Sequence, residues 1–186
     1  MKAIRLVQIG QPLQMQQIPI PPIGERDVLV RVKAAGICHS DVHYRAGVSP
    51  VKTPPVTLGH EVAGVVAETG KDVPGFAPGD KVVFMPQVTC GVCYPCRHGM
   101  YHICDSLKVM GFQTNGAAQE FFAVNAANVL KLPESMSLDQ AALIEPISVA
   151  VHCLSRAGST EGQKVLVLGG GTIGNLVAHV AQASGV

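Results

Sequence analysis

The chain has 186 residues, 47% hydrophobic and 15% charged, with a formal net charge of +1. That is a globular composition with enough apolar material for a core that needs no covalent staples. Lys and Arg are scattered and form no basic stripe to neutralise phosphates, so no nucleic-acid partner is expected. The longest apolar runs, such as residues 164–171, are far too short to span a bilayer, so no membrane role is expected.

In chain order, residues 1–10 set Ile4 and Leu6 among polar neighbours and run into Gln-rich sequence. This reads as an edge strand, not a signal peptide, and the expected compartment is the cytoplasm. Residues 28–32 alternate Val28, Val30 and Val32 with Leu29 and Arg31, the period of a strand. Residues 61–69 and 81–85 are Val-rich runs bounded by Gly59, Gly70, Pro78 and Gly79, and 121–124 and 129–132 continue the pattern. Pro12, Pro19, Pro21, Pro22, Pro54 and Pro55 argue against long helices in this part. Many short strands with Gly/Pro turns predict a compact, β-rich, barrel-like domain over residues 1–150.

After Pro133 the character changes. Ser137-Leu-Asp-Gln140 ahead of Ala141, Ala142, Leu143 and Ile144 is a capped helix start. Helical sequence continues to about Arg156, with a break expected at Pro146. Residues 164–168 form the continuous apolar run of a buried parallel strand, followed by a glycine turn and an Ala-rich helix over 175–184. Residues 151–186 therefore read as a linking helix and the first strand–turn–helix of an α/β domain. One such unit cannot bury both faces of its strand, so a truncated second domain is expected.

Six cysteines are present, and four lie within fifteen residues as Cys90-x2-Cys93-x2-Cys96-x7-Cys104. In a reducing compartment this cluster points to metal rather than disulfides. Four thiolates at this spacing can close around one zinc ion as a structural site. An iron–sulfur cluster fits less well, because the ferredoxin run places its fourth Cys closer and follows it with Pro; ordinary thiols are the third reading. His98 and His102 lie inside the loop and read as bystanders.

Cys38, His60, Glu61 and Glu145 form a dispersed set. Each alone has an ordinary reading, as a buried thiol, a surface pair or a core hydrogen bond. Together they can make an open zinc site with room for water or substrate. Neighbours on a regular strand point to opposite faces, so His60 and Glu61 can share an ion only if the backbone bends, which Gly59 permits. Glu61 is accordingly expected as an outer or intermittent ligand.

The third signal is Gly169-x-Gly171-x-x-Gly174 after an apolar strand and before a helix. Gly169 permits the tight turn, Gly171 lets a pyrophosphate approach the backbone, and Gly174 lets helix and strand pack closely. Thr172 and Ile173, within the turn, are cofactor-binding candidates, and the N-terminus of the helix that follows attracts an anion. A purely structural Gly-rich turn is the alternative.

In order and spacing, Gly36-Ile-Cys-His-Ser-Asp41 with His43, Gly59-His-Glu-Val-Ala-Gly64, Pro78-Gly-Asp-Lys-Val82, the four-Cys loop and the glycine turn resemble the zinc-dependent medium-chain dehydrogenase/reductase family. The resemblance covers essentially the whole chain. It implies a GroES-like β-domain followed by the start of a Rossmann domain, two zinc ions per chain, and NAD or NADP as cofactor. It places catalytic zinc on Cys38, His60 and Glu145, with Glu61 beside the ion and Asp41 orienting a zinc-bound His. It makes Ser40 the hydroxyl that begins proton transfer and His43 the imidazole that passes the proton to solvent. Leu143-Ile-Glu-Pro146 looks like the sorbitol/polyol and threonine dehydrogenase branches, in which a carboxylate replaces the cysteine of the alcohol dehydrogenases. The implied activity is hydride transfer between a small alcohol, polyol or sugar and its carbonyl, by a homo-oligomeric dimer or tetramer. A primary-alcohol or threonine dehydrogenase on the same machinery and a non-catalytic zinc-stabilised binding module are the alternatives. These 186 residues alone are expected to lack turnover.

Overall fold

A computed structural model describes residues 1–49, 53–158 and 161–186. It divides into two compact units, residues 1–142 and 143–186.

The first unit is built on antiparallel strands. β1 (Lys2–Leu6) pairs with β2 (Gln14–Gln17). β3 (Asp27–Ala35) leads through a short turn into α1 (His39–Ala46), after which β4 (Val56–Thr57) pairs back on β1. β5 (Val62–Thr69) and β6 (Lys81–Phe84) follow. β7 (Gln87–Val88) and β8 (Lys108–Val109) pair as the neck of the four-cysteine loop, which holds the short helix α2 (Tyr94–Arg97). β9 (Phe121–Asn125), β10 (Val129–Lys131) and α3 (Leu138–Ala142) complete the unit. The main sheet runs β10-β6-β5-β3-β9 and a second runs β2-β1-β4. They are joined through the Ala3–Gln119 bridge and the Ile4 N–H to Ala118 carbonyl bond at 2.8 Å.

The alternation read in the sequence is the packing pattern. Val28, Val30, Val62, Val66, Val82, Phe84, Phe122, Val124 and Val129 fill one core, with Phe84 stacked on Phe122 at 5.1 Å between ring centroids. A smaller cluster of Leu6, Tyr44, Val56 and Leu58 lies under α1 and takes in Phe112. The proline punctuation gave no hint of α1, which spans eight residues. Its caps explain it: Asp41 Oδ2 accepts the Cys38 N–H at 3.1 Å, and Gly47 ends the helix in the left-handed conformation at φ +77°.

In the second unit α4 (Ile144–Ala157) and α5 (Thr172–Ala183) pack on each other. The helix break falls at Leu143, not at Pro146, because Pro146 lies in the first turn of α4, where its missing N–H costs nothing. Residues 164–168 join no ladder among the described residues, and Leu166 and Leu168 are exposed. A parallel strand needs a neighbouring strand to pair with, and this unit contributes none among the described residues.

The start of α3 has the expected reciprocal cap. Gln140 N–H donates to Ser137 Oγ at 3.2 Å, and Ser137 N–H donates to Gln140 Oε1 at 3.1 Å. Ser137→Ala should lower stability by about 1 kcal/mol, read as a lower denaturation midpoint at constant slope; an unchanged midpoint would mean that the cap contributes nothing.

Candidate active site and metal centres

The register of two long strands assembles the first centre. Ala35 pairs with Val62 at the end of the β3–β5 ladder, and Gly36 N–H continues it to the Glu61 carbonyl at 2.7 Å. Beyond that last pair the chains run on, one to Cys38 and the other back to Gly59, so the two segments meet. Glu61 lies over Gly36, where any Cβ would collide with its carboxylate. His60 and Glu61 precede the first ladder residue, Val62, and Gly59 bends the backbone at φ +96°. Strand alternation therefore does not apply to them. The Cys38 sulfur, a His60 nitrogen and a Glu61 oxygen all lie within 4.8 Å of one another.

The surroundings favour a metal-ready set. His60 and Glu61 are buried, at 6% and 9% exposure. Burial pushes the His60 imidazole below its ordinary pKa, against the pull of Asp41 and Glu61, and so favours the neutral form that binds metal. Burial pushes the Asp41 carboxyl up, opposed by His60 and by the Cys38 N–H. Asp41 Oδ1 lies 4.0 Å from His60 Nδ1, as a carboxylate that orients a metal-binding imidazole does. Phe112 meets the same ring edge-on at 4.6 Å. Ser40 is in the first turn of α1, with its Oγ buried and without a protein partner, and His43 is exposed one turn on.

The four-cysteine loop makes the second centre. Cys104 Sγ lies 3.6 Å from Cys90 Sγ and 3.9 Å from Cys93 Sγ, and all four sulfurs are within 4.8 Å of one another. A tetrahedron with Zn–S bonds of about 2.3 Å has sulfur edges of about 3.8 Å, so the spacing fits zinc. Backbone N–H groups point at the sulfurs: those of Cys90 and Ser106 donate to Cys104 Sγ at 3.3 and 3.4 Å, and that of Cys93 to Cys90 Sγ at 3.4 Å. The backbone donors of Val92 and Cys93 hold the Cys90 thiol down at about 6, whereas burial pushes Cys96 up to about 12. A dication makes four thiolates compatible where burial alone opposes it. His98 turns away, its Nδ1–H donating to the Tyr94 carbonyl at 2.8 Å.

Glu145 and the glycine turn belong to the second unit. Glu145 is half-buried in the first turn of α4. Gly169 takes φ +111°, open to glycine, and a Cβ on Gly174 would strike the Gly169 carbonyl. α5 begins at Thr172, earlier than the periodicity indicated, so Thr172 and Ile173 offer first-turn N–H groups. Asn175 Nδ2 donates to the Gly170 and Gly171 carbonyls at 2.8 and 3.1 Å. Sequence reasoning passed over Asn175, although an amide one residue past a glycine turn is a local capping signal. It also passed over Phe112, whose contact with His60 spans 52 positions and has no local signature.

Residues 24–134 match the alcohol dehydrogenase GroES-like domain. The chain is 46% identical over 166 residues, 89% of its length and 48% of the relative's, to 2-dehydro-3-deoxy-L-galactonate 5-dehydrogenase of Pseudoalteromonas atlantica. It is 39% identical over 189 residues to L-threonine 3-dehydrogenase of Bacillus velezensis, covering all of this chain and 54% of that protein. Among solved structures, a "short chain alcohol dehydrogenase" of Escherichia coli CFT073 complexed with NADH superposes with a TM-score of 0.92 at 35% identity, over 99% of this chain and 53% of that one. The chain spans about half the length of the curated relatives it matches. With the fold, the two donor clusters and this match together, the chain belongs to the alcohol dehydrogenase GroES-like domain family, as its resemblance to the zinc-dependent medium-chain dehydrogenases implied.

Proposed function

We propose that this chain carries the catalytic-zinc half of an NAD(P)-linked dehydrogenase that interconverts a secondary alcohol, of polyol, sugar or sugar-acid type, with its ketone. The observation that carries this reading is the meeting of Cys38, His60 and Glu61 beside the buried Ser40 hydroxyl. Cys38, His60 and Glu145 would hold the catalytic zinc, with Glu61 alongside, and Cys90, Cys93, Cys96 and Cys104 the structural one. A zinc ion bound there supplies Lewis acidity that lowers the pKa of an alcohol, and a nicotinamide dinucleotide supplies the hydride acceptor. Gly169–Gly174 and the first turn of α5 would receive its pyrophosphate.

The chain's own residues handle the proton. Ser40 Oγ, buried, accepts the proton of the substrate hydroxyl as it gives up its own, and exposed His43 takes up the released proton and passes it to water. Asp41 and Phe112 keep the His60 ring in place. The names of the two relatives above put the reacting carbon at position 5 and position 3, inside a carbon chain. This supports a secondary alcohol, and the carboxylate at Glu145 supports the same branch. Threonine is the second reading, on the strength of the Bacillus velezensis relative. Cysteines gathered as candidate metal ligands suit a cytoplasmic setting.

A panel of polyols, sugar acids, threonine and primary alcohols, run with NAD and with NADP on the whole protein, tests the reading. Reduction of neither cofactor by any of them would sink it. Elemental analysis should find two zinc ions per chain. Cys93→Ser should remove one and lower thermal stability, because metal binding at that loop is coupled to folding. His60→Ala should abolish turnover while the circular dichroism spectrum stays unchanged; normal turnover would refute the catalytic-centre assignment.

His43→Gln should slow alcohol oxidation by about 100-fold, most at low pH, where hydroxide is too scarce to substitute for the lost base. Imidazole buffer should restore part of the rate. A pH–rate profile identical to that of the unmodified protein would remove His43 from proton transfer.

A further inference from the structure

The four-cysteine loop and the Cys38–His60–Glu61 centre are separate in sequence, yet one short segment touches both. The loop's neck is the β7–β8 pair, Gln87 with Val109 and Val88 with Lys108, and Asn128 Nδ2 buttresses it by donating to the Met85 and Gln87 carbonyls at 3.0 and 2.7 Å. Directly after β8 the chain turns tightly, with the Phe112 and Gln113 N–H groups both donating to the Val109 carbonyl at 3.1 Å. Gly111 then lies on the backbone of Gly59, so close that a Cβ would come within 2.9 Å of the Gly59 nitrogen and oxygen. Next comes Phe112, edge-on to His60 at 4.6 Å and against Tyr44 at 4.1 Å. Tyr44 belongs to α1, the helix that Cys38 caps. One ring thus abuts one ligand and the helix that carries another.

Asp41, which faces Nδ1 of the imidazole, cannot hold it alone. Asp41 Oδ1 at 4.0 Å is beyond hydrogen-bond reach of His60 Nδ1. The ring's orientation therefore rests on packing, and Phe112 supplies the wall. A two-residue ladder such as β7–β8 is not stable by itself, so an ion closing the loop above it adds to what holds Val109, Gly111 and Phe112 in place.

We propose that Phe112 is a positioning residue through which metal in the four-cysteine loop tightens metal binding by Cys38, His60 and Glu61. This rests on both clusters holding metal, as proposed above. The holoprotein loaded with Co2+ tests it, because visible bands distinguish a four-thiolate ion from a mixed sulfur, nitrogen and oxygen one. Phe112→Leu keeps apolar volume but loses the ring edge. It should shift the mixed-site bands and speed release of that ion to a chelator by about 10- to 100-fold, the range for residues that orient a metal ligand. The four-thiolate bands should stay in place, and Phe112→Tyr should behave as the unmodified protein. Cys90→Ser, which empties the loop, should speed release from the mixed site similarly, and adding Phe112→Leu to it should bring little further change. Should Cys90→Ser fail to fold, Asn128→Ala loosens the neck without touching a ligand and should act in the same direction. Unchanged release and bands in Phe112→Leu would overturn the proposal, as would a folded loop variant with a normal mixed site. An unmodified protein that binds fewer than two ions would instead overturn the two-metal reading.

Discussion

The candidate active site depends on where the β3–β5 ladder stops. Pairing of Ala35 with Val62, and the Gly36 N–H bond to the Glu61 carbonyl, bring Cys38 and His60 to the same end of the same strand pair. Strand register is an all-or-none quantity, since a slip by one residue turns every side chain to the opposite face. Val28, Val30, Val62 and Val66 all lie in the core, so the valine alternation that buries the sheet also sets the position of the ligands. Two β-bulges, after Leu29 and after Val32, take up the mismatch between the strands before the site is reached. The glycines complete the constraint: Gly36 leaves room for the Glu61 carboxylate, and Gly59 lets His60 leave the strand's alternation.

The two donor clusters solve different physical problems. In the cysteine loop the ligands are close in sequence, the turns are made by Gly91 and Gly99 at φ +73°, and backbone N–H groups face the sulfurs. Four thiolates leave no coordination position open, which suits a staple and not a catalyst. In the other cluster the donors differ in kind and come from distant segments, and a hydroxyl and an imidazole stand next to them on α1. Mixed donors with a free position are what a substrate-binding ion requires.

This difference also explains how much could be read in advance. The cysteine loop was legible because its ligands lie within fifteen residues and spacing alone describes the geometry. The strands were legible because Val alternation is a local pattern, and the Ser137–Gln140 cap because it is a four-residue motif. Spacing alone left Cys38, His60 and Glu61 an open possibility; family order singled them out, and it took the ladder register to show how they meet. α1 was missed because the prolines dominate the composition around it, whereas what makes the helix is a reciprocal bond between Cys38 and Asp41 and a terminal Gly47. The break placed at Pro146 was displaced to Leu143 for a positional reason: proline interrupts a helix interior but not its first turn. The run over 164–168 joins no ladder among the described residues, in line with the expectation that one strand–turn–helix unit cannot bury both faces of its strand.

Among the described residues, four buried side-chain polar atoms lack a protein hydrogen-bond partner, and three of them are Ser40 Oγ, Asp41 Oδ1 and His60 Nδ1. They gather on one helix turn and the residue facing it, among the groups expected to meet an ion or a substrate. A buried hydroxyl can hand a proton on to a substrate, and a carboxylate facing one nitrogen of an imidazole orients the other towards an ion. The sheet and its valine core hold the segments that bring these atoms together. The ring of Phe112, backed by Tyr44, adds packing support to the imidazole without a hydrogen bond.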